Sequence, residues 1–563
     1  MKKNHRASPS EKPGLQKPAP AARVPGIVEK PILAGSYLIF LFFFLMTRLP
    51  FFLYNPIILL SPDYPHYYAI VDQISKGFWP LFSIRTPGYP LFLALVFLFF
   101  KTNLAVIVIQ NILTLLSGLF FITVIHKIYG RHLKILPLLV ALALGAFISL
   151  PIHLYMDTAL ATESIYISAI ILFFGVLFLA ITYRTRRYWI LSGISMAIII
   201  LIRPSGLFLV VLFLAIILFT LLNGYGKSLI LLFSLSFIGP LMLMCLYNGL
   251  TIGSFSISTF TEHALISFTS TFLEKSPEYS PAVNRAIEKS RNRLTPRKKK
   301  IVAESWKINE ISLVLNRHYN RNRRIIFQTL KSFEEPDADD LYMKWRPTLK
   351  KIALDAIRQH PLIYLKYLYA NIYRYFFNKR TIHFYSRLQD RYRNSLLLRQ
   401  KYTRFYKYRA SDTLRLYYKN EYIRSLDQNF VKNMLKEYWN QKPLTPVQRS
   451  QLKKVRIETH FFQKIHEGLT KILLFLFHNQ LWIIFFFFSF VFSLFRMVKT
   501  RFRHGGTFLF LMLTGAALLH GVVISMSSFS DARLSYPLDF IYYLSVFLFP
   551  ILFKPDPTAG TED

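Results

Sequence analysis

The chain has little cysteine and few acidic residues. Its 563 residues include one cysteine, Cys245, which lies inside an apolar run. A disulfide framework and a cysteine-based metal site are therefore excluded. Asp and Glu number 30 against 69 Lys and Arg, which leaves a formal net charge of +39. The position of this charge along the chain is more informative than its size.

Long apolar runs are abundant. Hydrophobic residues make up 53% of the chain and aromatic residues 16%, which is too apolar for a soluble protein. Ten runs approach the length of a membrane-spanning helix, so we expect an all-α polytopic membrane protein. The ten predicted helices are Tyr37–Leu53, Asn103–Ile125, Lys134–Leu150, Ala159–Tyr183, Tyr188–Leu201, Ser205–Leu222, Ser228–Tyr247, Leu481–Val498, Thr507–Met526 and Tyr536–Phe553.

A further apolar run, Pro87–Phe100, is too short for a full crossing, which needs roughly twenty residues. Its two prolines around a glycine favour a re-entrant or surface-lying helix. If this run does not cross, the basic clusters all fall on one face, which is the positive-inside pattern. These clusters are the N-terminal tail, His126–Lys134, Arg184–Arg187, Lys227 and Arg496–Arg503.

The same topology divides the chain into segments. We expect a disordered cytoplasmic tail (1–34), a membrane module (35–250) whose first outer loop is 54–102, a basic and mainly helical outer domain (251–466), further membrane helices (467–553) and a short cytoplasmic tail (554–563). In the outer domain, Leu349–Phe377 has the spacing of an amphipathic helix that could lie along the bilayer. The runs Arg297–Lys300 and Arg321–Arg324 would face anionic lipid or glycan, or form an ordinary solvated face.

Candidate catalytic residues lie on the predicted outer face. Asp63 and Arg85 share the first loop, and a carboxylate with a guanidinium suits sugar transfer from a lipid phosphate. The phosphate leaving group is a stabilised anion, so the reaction needs a base and cations rather than a strong acid. Glycosidases, by contrast, use two cooperating carboxylates. We predict Asp63 as the base and Arg85, Arg203 and Arg533 as the phosphate-binding residues.

Each of these residues also has an ordinary structural interpretation. Asp63 could begin a turn or cap a helix, and Arg85 could be an interfacial side chain that reaches the headgroups. Arg203 could belong to a simple turn between two helices. Arg533 could pair with the neighbouring Asp531.

Three residues are predicted to support the site. Glu163 lies near the outer start of a helix, where it could instead complement the helix dipole. The rings of Tyr67 and Tyr89 could stack on a sugar, although tyrosine is also common at membrane interfaces. His66 has no partner at metal-ligand spacing, so no metal-binding residues are assigned.

Five motifs in chain order resemble the GT-C superfamily of glycosyltransferases, which use lipid-linked donors. The closest likeness is to the bacterial polyprenyl-phosphate-dependent branch, relatives of the protein O-mannosyltransferases and of the lipid A aminoarabinose transferase. The motifs are Asp63…Tyr67…Ala69 with Gly77…Arg85–Leu91, Ala161–Ser164, Ile202–Gly206, Tyr247–Gly249 with Gly253–Phe255, and Arg533…Tyr536–Pro537.

The resemblance implies a catalytic site facing outwards, an aspartate base in the first loop, and a sugar donor carried on a polyprenyl phosphate. The implied setting is the inner (plasma) membrane of a bacterium, with an anionic lipid or glycan as acceptor and no nucleic acid. Family members often carry two adjacent acidic residues in the first loop, whereas Asp63 is followed by Tyr64. No cofactor is therefore assigned, and a divalent cation is left open.

Two alternatives belong to other functional classes. A transporter or flippase of anionic lipid or glycan could use the same outer cations, although the chain lacks the internal repeats usual in transporters. A non-catalytic assembly protein could dock glycan or lipid on its basic domain. It would tolerate loss of Asp63 but not of the Arg297–Lys300 cluster.

Overall fold

A computed structural model describes residues 30–54, 59–60, 64–78, 82, 85–100, 102–258, 260–333, 341–377, 480–527 and 538–553. These parts are almost entirely helical, and two short strands, β1 (Leu59–Leu60) and β2 (Ala159–Leu160), pair in parallel. The helices before the outer domain are α1 (Lys30–Tyr54), α2 (Tyr64–Ser75), α3 (Gly88–Phe99), α4 (Asn103–Tyr129), α5 (Leu136–Ile148), α6 (Pro151–Thr158), α7 (Glu163–Tyr183), α8 (Arg186–Ile202), a 3-10 helix (Pro204–Phe208), α9 (Leu209–Leu222) and α10 (Lys227–Ile252).

The described parts of the predicted outer domain and of the C-terminal segment are helical as well. The outer helices are α11 (Phe260–Thr269), α12 (Pro281–Arg291), α13 (Pro296–Glu304), α14 (Ile308–Lys331), α15 (Leu341–Gln359) and α16 (Pro361–Phe377). The later helices are α17 (Gln480–Lys499), α18 (Gly505–Ser527), α19 (Asp539–Leu548) and a 3-10 helix (Phe549–Phe553). The two predicted tails and the predicted domain residues beyond 377 lie mostly outside the described residues.

Each of the ten predicted membrane segments contains a described helix, although the segment Ala159–Tyr183 begins with strand β2. Six helical stretches are long and apolar enough to cross a membrane: Lys30–Leu49, Asn103–Tyr129, Glu163–Tyr183, Pro204–Leu222, Lys227–Ile252 and Gly505–Met526. Helices of this kind identify an integral membrane protein. The count of ten spans stays a prediction.

Helix α3 corresponds to the short apolar run of the first loop. It has 12 residues, which at about 1.5 Å per residue gives a length of about 18 Å. The hydrocarbon core of a bilayer is about 30 Å thick, so α3 cannot cross it alone. Tyr89 and Leu93 face the protein, whereas Leu95 and Leu98 are exposed. This geometry fits the predicted re-entrant or surface-lying helix.

Helix α7 lies at the centre of the membrane bundle. In its most apolar stretch 78% of the residues are buried, against 22% in α10. It packs against α4 on one side and α8 on the other. Residues at the start of α7 are therefore enclosed by protein, which determines the environment of Glu163.

The described basic clusters predicted for the inner face, from His126 onwards, lie together at one end of the bundle. Three contacts join them: Lys127 Nζ lies 4.8 Å from the centre of the Tyr183 ring, the Arg184 guanidinium lies 4.5 Å from that of Tyr225, and Asn223 Nδ2 donates to the Phe502 carbonyl oxygen at 2.8 Å. Tyrosine rings thus hold these cations at the helix ends. The opposite end of the bundle contains the candidate site.

The outer domain has a hydrophobic core of its own, formed by α11–α16. Its last helix, α16, also packs on the membrane helices. Asn371 Nδ2 donates to the Ser525 carbonyl oxygen at 3.2 Å, and the Tyr375 hydroxyl lies 2.7 Å from His520 Nδ1. The domain is therefore attached to the bundle through specific side chains of α16.

The stretch Leu349–Phe377 is not one amphipathic helix on the bilayer. It is divided between α15 and α16 by a break at His360, since a proline follows and the residue before a proline disfavours helix. Leu349 and Ile352 of α15 are buried in the domain core. The apolar face of α15 thus packs on protein instead of lipid.

Candidate active site

Two of the predicted site residues, Asp63 and Arg533, lie outside the described residues. The described part of the first outer loop resumes at Tyr64, the first residue of α2, whose hydroxyl donates to Asn103 Oδ1 at 2.9 Å. The remaining five predicted residues are described and lie at the bundle end opposite the basic clusters. They are Tyr67, Arg85, Tyr89, Glu163 and Arg203.

Arg203 and Glu163 form an ion pair. Arg203 follows α8 directly and has an extended backbone, as expected for a residue before a proline. Its Nη1 lies 3.2 Å from Glu163 Oε1, and Glu163 is fully buried. The contact lacks the alignment of a hydrogen bond. Glu163 therefore does more than complement the dipole of α7, because it neutralises a guanidinium that is 11% exposed.

Arg85 lies over an aromatic pair. Its guanidinium carbon is 5.3 Å from the centre of the Tyr67 ring, and that ring meets Tyr89 edge-on at 4.9 Å. The Tyr89 hydroxyl donates to Gln110 Oε1 at 3.1 Å. Both rings are buried, with 4% and 0% of their surfaces exposed. The two tyrosines are thus packed on protein rather than open to a sugar, and they support Arg85.

Gly88 brings these two parts of the site together. A Cβ atom added at Gly88 would lie 2.7 Å from both the Ile202 nitrogen and the Leu201 oxygen. Backbones can approach this closely only where no side chain intervenes. The start of α3, three residues after Arg85, therefore touches the end of α8, one residue before Arg203.

We expect Gly88→Ala to lower the thermal stability of the protein, because the contacting atoms are backbone and cannot move aside. Overpacking of this kind costs about 1–3 kcal/mol. A thermal unfolding series of the purified protein in detergent measures the change. Gly239→Ala is the matched control, since a Cβ at this helical glycine meets nothing within 4 Å. Equal melting temperatures for the two variants would contradict the close approach.

C-terminal helices also reach Arg203. The Arg203 guanidinium lies 5.9 Å from the centre of the Tyr166 ring, and that ring lies 6.2 Å from His520 of α18. His520 Nδ1 in turn shares a hydrogen bond with the Tyr375 hydroxyl of α16. The surroundings of Arg203 thus combine the membrane module, the later helices and the outer domain.

A second ion pair, which the sequence analysis missed, lies beneath this region. Arg48 Nη2 lies 2.5 Å from Asp157 Oδ2, and both side chains are almost fully buried. Ser164 and Thr114 donate to Asp157 Oδ1 at 2.6 and 3.2 Å. Arg48 Nη1 also donates to the Ile148 carbonyl oxygen at 2.6 Å. These contacts join α1, α4, α5, α6 and α7 at one point.

His153 lies next to Asp157, with Nε2 3.4 Å from Oδ2. Burial lowers the pKa of His153 to about 4; Asp157 opposes the shift and Arg48 adds to it. The imidazole is therefore neutral at physiological pH, and Arg48 is the counter-charge of Asp157. Gln110 Nε2 donates to the carbonyl oxygens of Asp157 and Ala159 at 3.3 and 3.1 Å, which links this network to Tyr89.

The sequence contained a signal for this network. Arg48 lies within the apolar run Tyr37–Leu53, and Asp157 lies between two apolar runs. An ionisable residue at membrane depth is costly in free energy unless it is paired. Arg48 and Asp157 therefore each indicate an oppositely charged partner. Neither residue touches the outer cations, and the network serves to support the helices that carry them.

The arrangement can hold an anion. It presents two guanidinium groups, one supported by tyrosine rings and one by a buried carboxylate. Within the described parts of the chain, no group of three or more His, Cys, Asp or Glu side chains could hold a metal ion. Asp63 lies outside those parts, so the divalent cation stays open.

Comparison with known proteins gives one similarity. No protein-family model and no curated protein matches the chain. Among solved structures, the chain is similar to the Archaeoglobus fulgidus oligosaccharyltransferase in its apo form, with 12% sequence identity and a TM-score of 0.36. The match covers 92% of this chain and 50% of that one, so this chain spans about half its length.

Proposed function

We propose that the chain is a glycosyltransferase that moves a sugar from a polyprenyl-phosphate carrier to an acceptor at the outer face of the membrane. The acceptor would be a glycolipid, a glycan or a protein. The observation that supports this proposal is the convergence of Arg85 and Arg203 at one end of an apolar bundle. A carrier lipid anchored in the bilayer would present its phosphate at this level, where guanidinium groups bind phosphate well.

The proposed reaction is a displacement at the anomeric carbon of the sugar. Asp63 takes the proton from an acceptor hydroxyl or amine, and the acceptor forms a bond to the anomeric carbon. The bond between that carbon and the phosphate oxygen breaks, and the electron pair stays on the phosphate. Arg85, Arg203 and Arg533 stabilise the negative charge that builds there.

The environments of the two described arginines suit this role. Arg85 is held over the Tyr67 ring by a cation–π contact, which fixes the position of its guanidinium group. Arg203 is held by Glu163, so its orientation is set before substrate arrives. Cations fixed in advance in a poorly hydrated site stabilise a developing charge without the cost of reorganisation.

The test of the Arg203 role is binding of the carrier itself. We expect polyprenyl phosphate to raise the melting temperature of the purified protein, and polyprenol of the same length to have no such effect. The double variant Glu163→Gln with Arg203→Gln should bind polyprenyl phosphate about 10- to 100-fold more weakly, the cost of losing a charge-assisted contact. The double change is needed because Arg203→Gln alone would leave the buried Glu163 without its counter-charge.

Lys127→Gln is the control for this test, since it removes a cation at the opposite end of the bundle. It should bind the carrier phosphate as the unmodified protein does. If the double variant also kept full affinity, Arg203 would have no part in phosphate binding. A flippase would bind the same carrier but leave the sugar–phosphate bond intact, so release of labelled sugar to an acceptor separates the two functions.

A further inference from the structure

The outer domain contains an open groove between α12 and α14, far along the chain from the residues of the proposed reaction. Its volume is about 490 Å³, which is within the usual range of small-molecule sites. One wall carries Lys289, Asn292 and Arg293, at and just after the end of α12. The other wall is the last two turns of α14 and the residue after it.

The two cations of the groove have no counter-charge among the described residues. Lys289 and Arg293 are exposed, and neither has an ion-pair partner among the residues that the structure describes. The acid adjacent in sequence, Glu288, pairs with Lys275 at 3.4 Å on another face of α12. The described lining of the groove contains no acidic residue. Within this part of the chain, Lys289 and Arg293 thus present two positive charges to a concave surface.

The rest of the lining fits sugar hydroxyl groups. It consists of two amides, Asn292 and Gln328, two hydroxyls, Thr329 and Ser332, and a single apolar side chain, Ile325. Amides and hydroxyls both donate and accept hydrogen bonds, as a saccharide requires. One apolar residue offers too little surface for an acyl chain. The lining therefore favours an acidic saccharide over a lipid.

The groove is formed before any ligand arrives. Its walls are held together by the core of the outer domain, where Ala286 and Ile287 of α12 and Ile326 and Leu330 of α14 are buried. Binding to a rigid surface avoids the entropy cost of ordering the protein. The cations and amides can thus act on one ligand together.

We infer that this groove binds an acidic oligosaccharide through its carboxylate groups and hydroxyls. Lys289 and Arg293 contact the carboxylates, and Asn292 and Gln328 contact the hydroxyls. The binding itself depends on the groove alone. The further statement that this saccharide is the acceptor, or part of it, rests on the proposed glycosyltransferase function.

The experiment measures binding of fluorescently labelled tetragalacturonate to the full-length protein in detergent, with labelled maltotetraose as the neutral probe of equal length. We expect measurable binding of the acidic probe only. Lys289→Gln with Arg293→Gln should weaken that binding by at least about tenfold. The matched control is Lys307→Gln with Lys350→Gln, which removes two charges from exposed positions of the same domain that do not line the groove. It should bind nearly as the unmodified protein does.

If both double variants lost the same affinity for tetragalacturonate, the probe would be held by general attraction to positive charge. The groove would then not be a specific site. Equal binding of the neutral probe would overturn the role of the carboxylates. If Lys289 and Arg293 bound phosphatidylglycerol vesicles but not tetragalacturonate, the groove would be a lipid-binding surface. That result would also overturn the saccharide site. Polyprenyl-phosphate binding should be unchanged in the Lys289/Arg293 variant, so failure of the groove and failure of the proposed function are distinguishable.

Discussion

Replacement of Asp63 by Asn should abolish measurable sugar transfer while the protein folds and binds polyprenyl phosphate as before. A general base contributes about 10²- to 10⁴-fold to a rate, and the asparagine amide cannot accept the acceptor's proton. The carrier phosphate, in contrast, is bound by cations that this change leaves in place. The loss is therefore expected in the rate of transfer from a labelled polyprenyl-phosphate sugar, with no loss of carrier affinity.

Asp72→Asn is the control from the same loop. Asp72 Oδ2 accepts from Lys76 Nζ at 2.8 Å, one turn along α2, so this carboxylate already has a local partner. Its replacement should leave the transfer rate close to that of the unmodified protein. Retained transfer in Asp63→Asn would remove Asp63 from the role of base. Equal loss in both variants would point instead to the negative charge of the whole loop.

Replacement of Arg48 by Ala should cost about 3–5 kcal/mol of stability, since it leaves Asp157 buried without its counter-charge. His153 is a poor substitute, because burial, the main cause of its lowered pKa, persists in this variant and opposes protonation of the imidazole. The same change removes the bond from Arg48 to the Ile148 carbonyl oxygen. The melting temperature in detergent and the yield of folded protein from membranes should both fall.

A second change should partly rescue this loss. In Arg48→Met with Asp157→Asn neither charge remains, and asparagine can still accept from Ser164 and Thr114. The double variant should therefore be more stable than Arg48→Ala. Lys300→Ala is the control, since its contact with Glu304 at 3.8 Å is largely exposed and such pairs contribute little. A melting temperature for Arg48→Ala equal to that of Lys300→Ala would contradict a supporting role for the buried pair.

The membrane helices were predictable because the length of an apolar run is a local property of the chain. The surface that the apolar face of α15 contacts was predicted wrongly for a related reason. Residues such as Leu349 and Ile352 mark an apolar face, but the spacing is the same whether that face meets lipid or protein. Only the fold shows that α11 and the rest of the domain core cover it.

Candidate site residues could be named from the sequence, but the contacts between them could not be predicted. Position at a helix end singled out Glu163 and Arg203, which are far apart in sequence, and nothing in their spacing predicted the ion pair. Tyr67 and Tyr89 were expected to face a sugar, whereas their burial gives them a packing role. Arg48 was overlooked because one charge changes the average hydropathy of a long run very little.

The packing of α16 against α17 bears on how this chain can vary. The Phe376 and Phe487 rings lie 5.4 Å apart, so the end of α16 contacts α17 about two turns from its start. Since the entropy of closing a connection grows slowly with its length, a longer or shorter connection between these two helices would cost little. A change in the length of this connection would therefore leave Arg85 and Arg203 undisturbed.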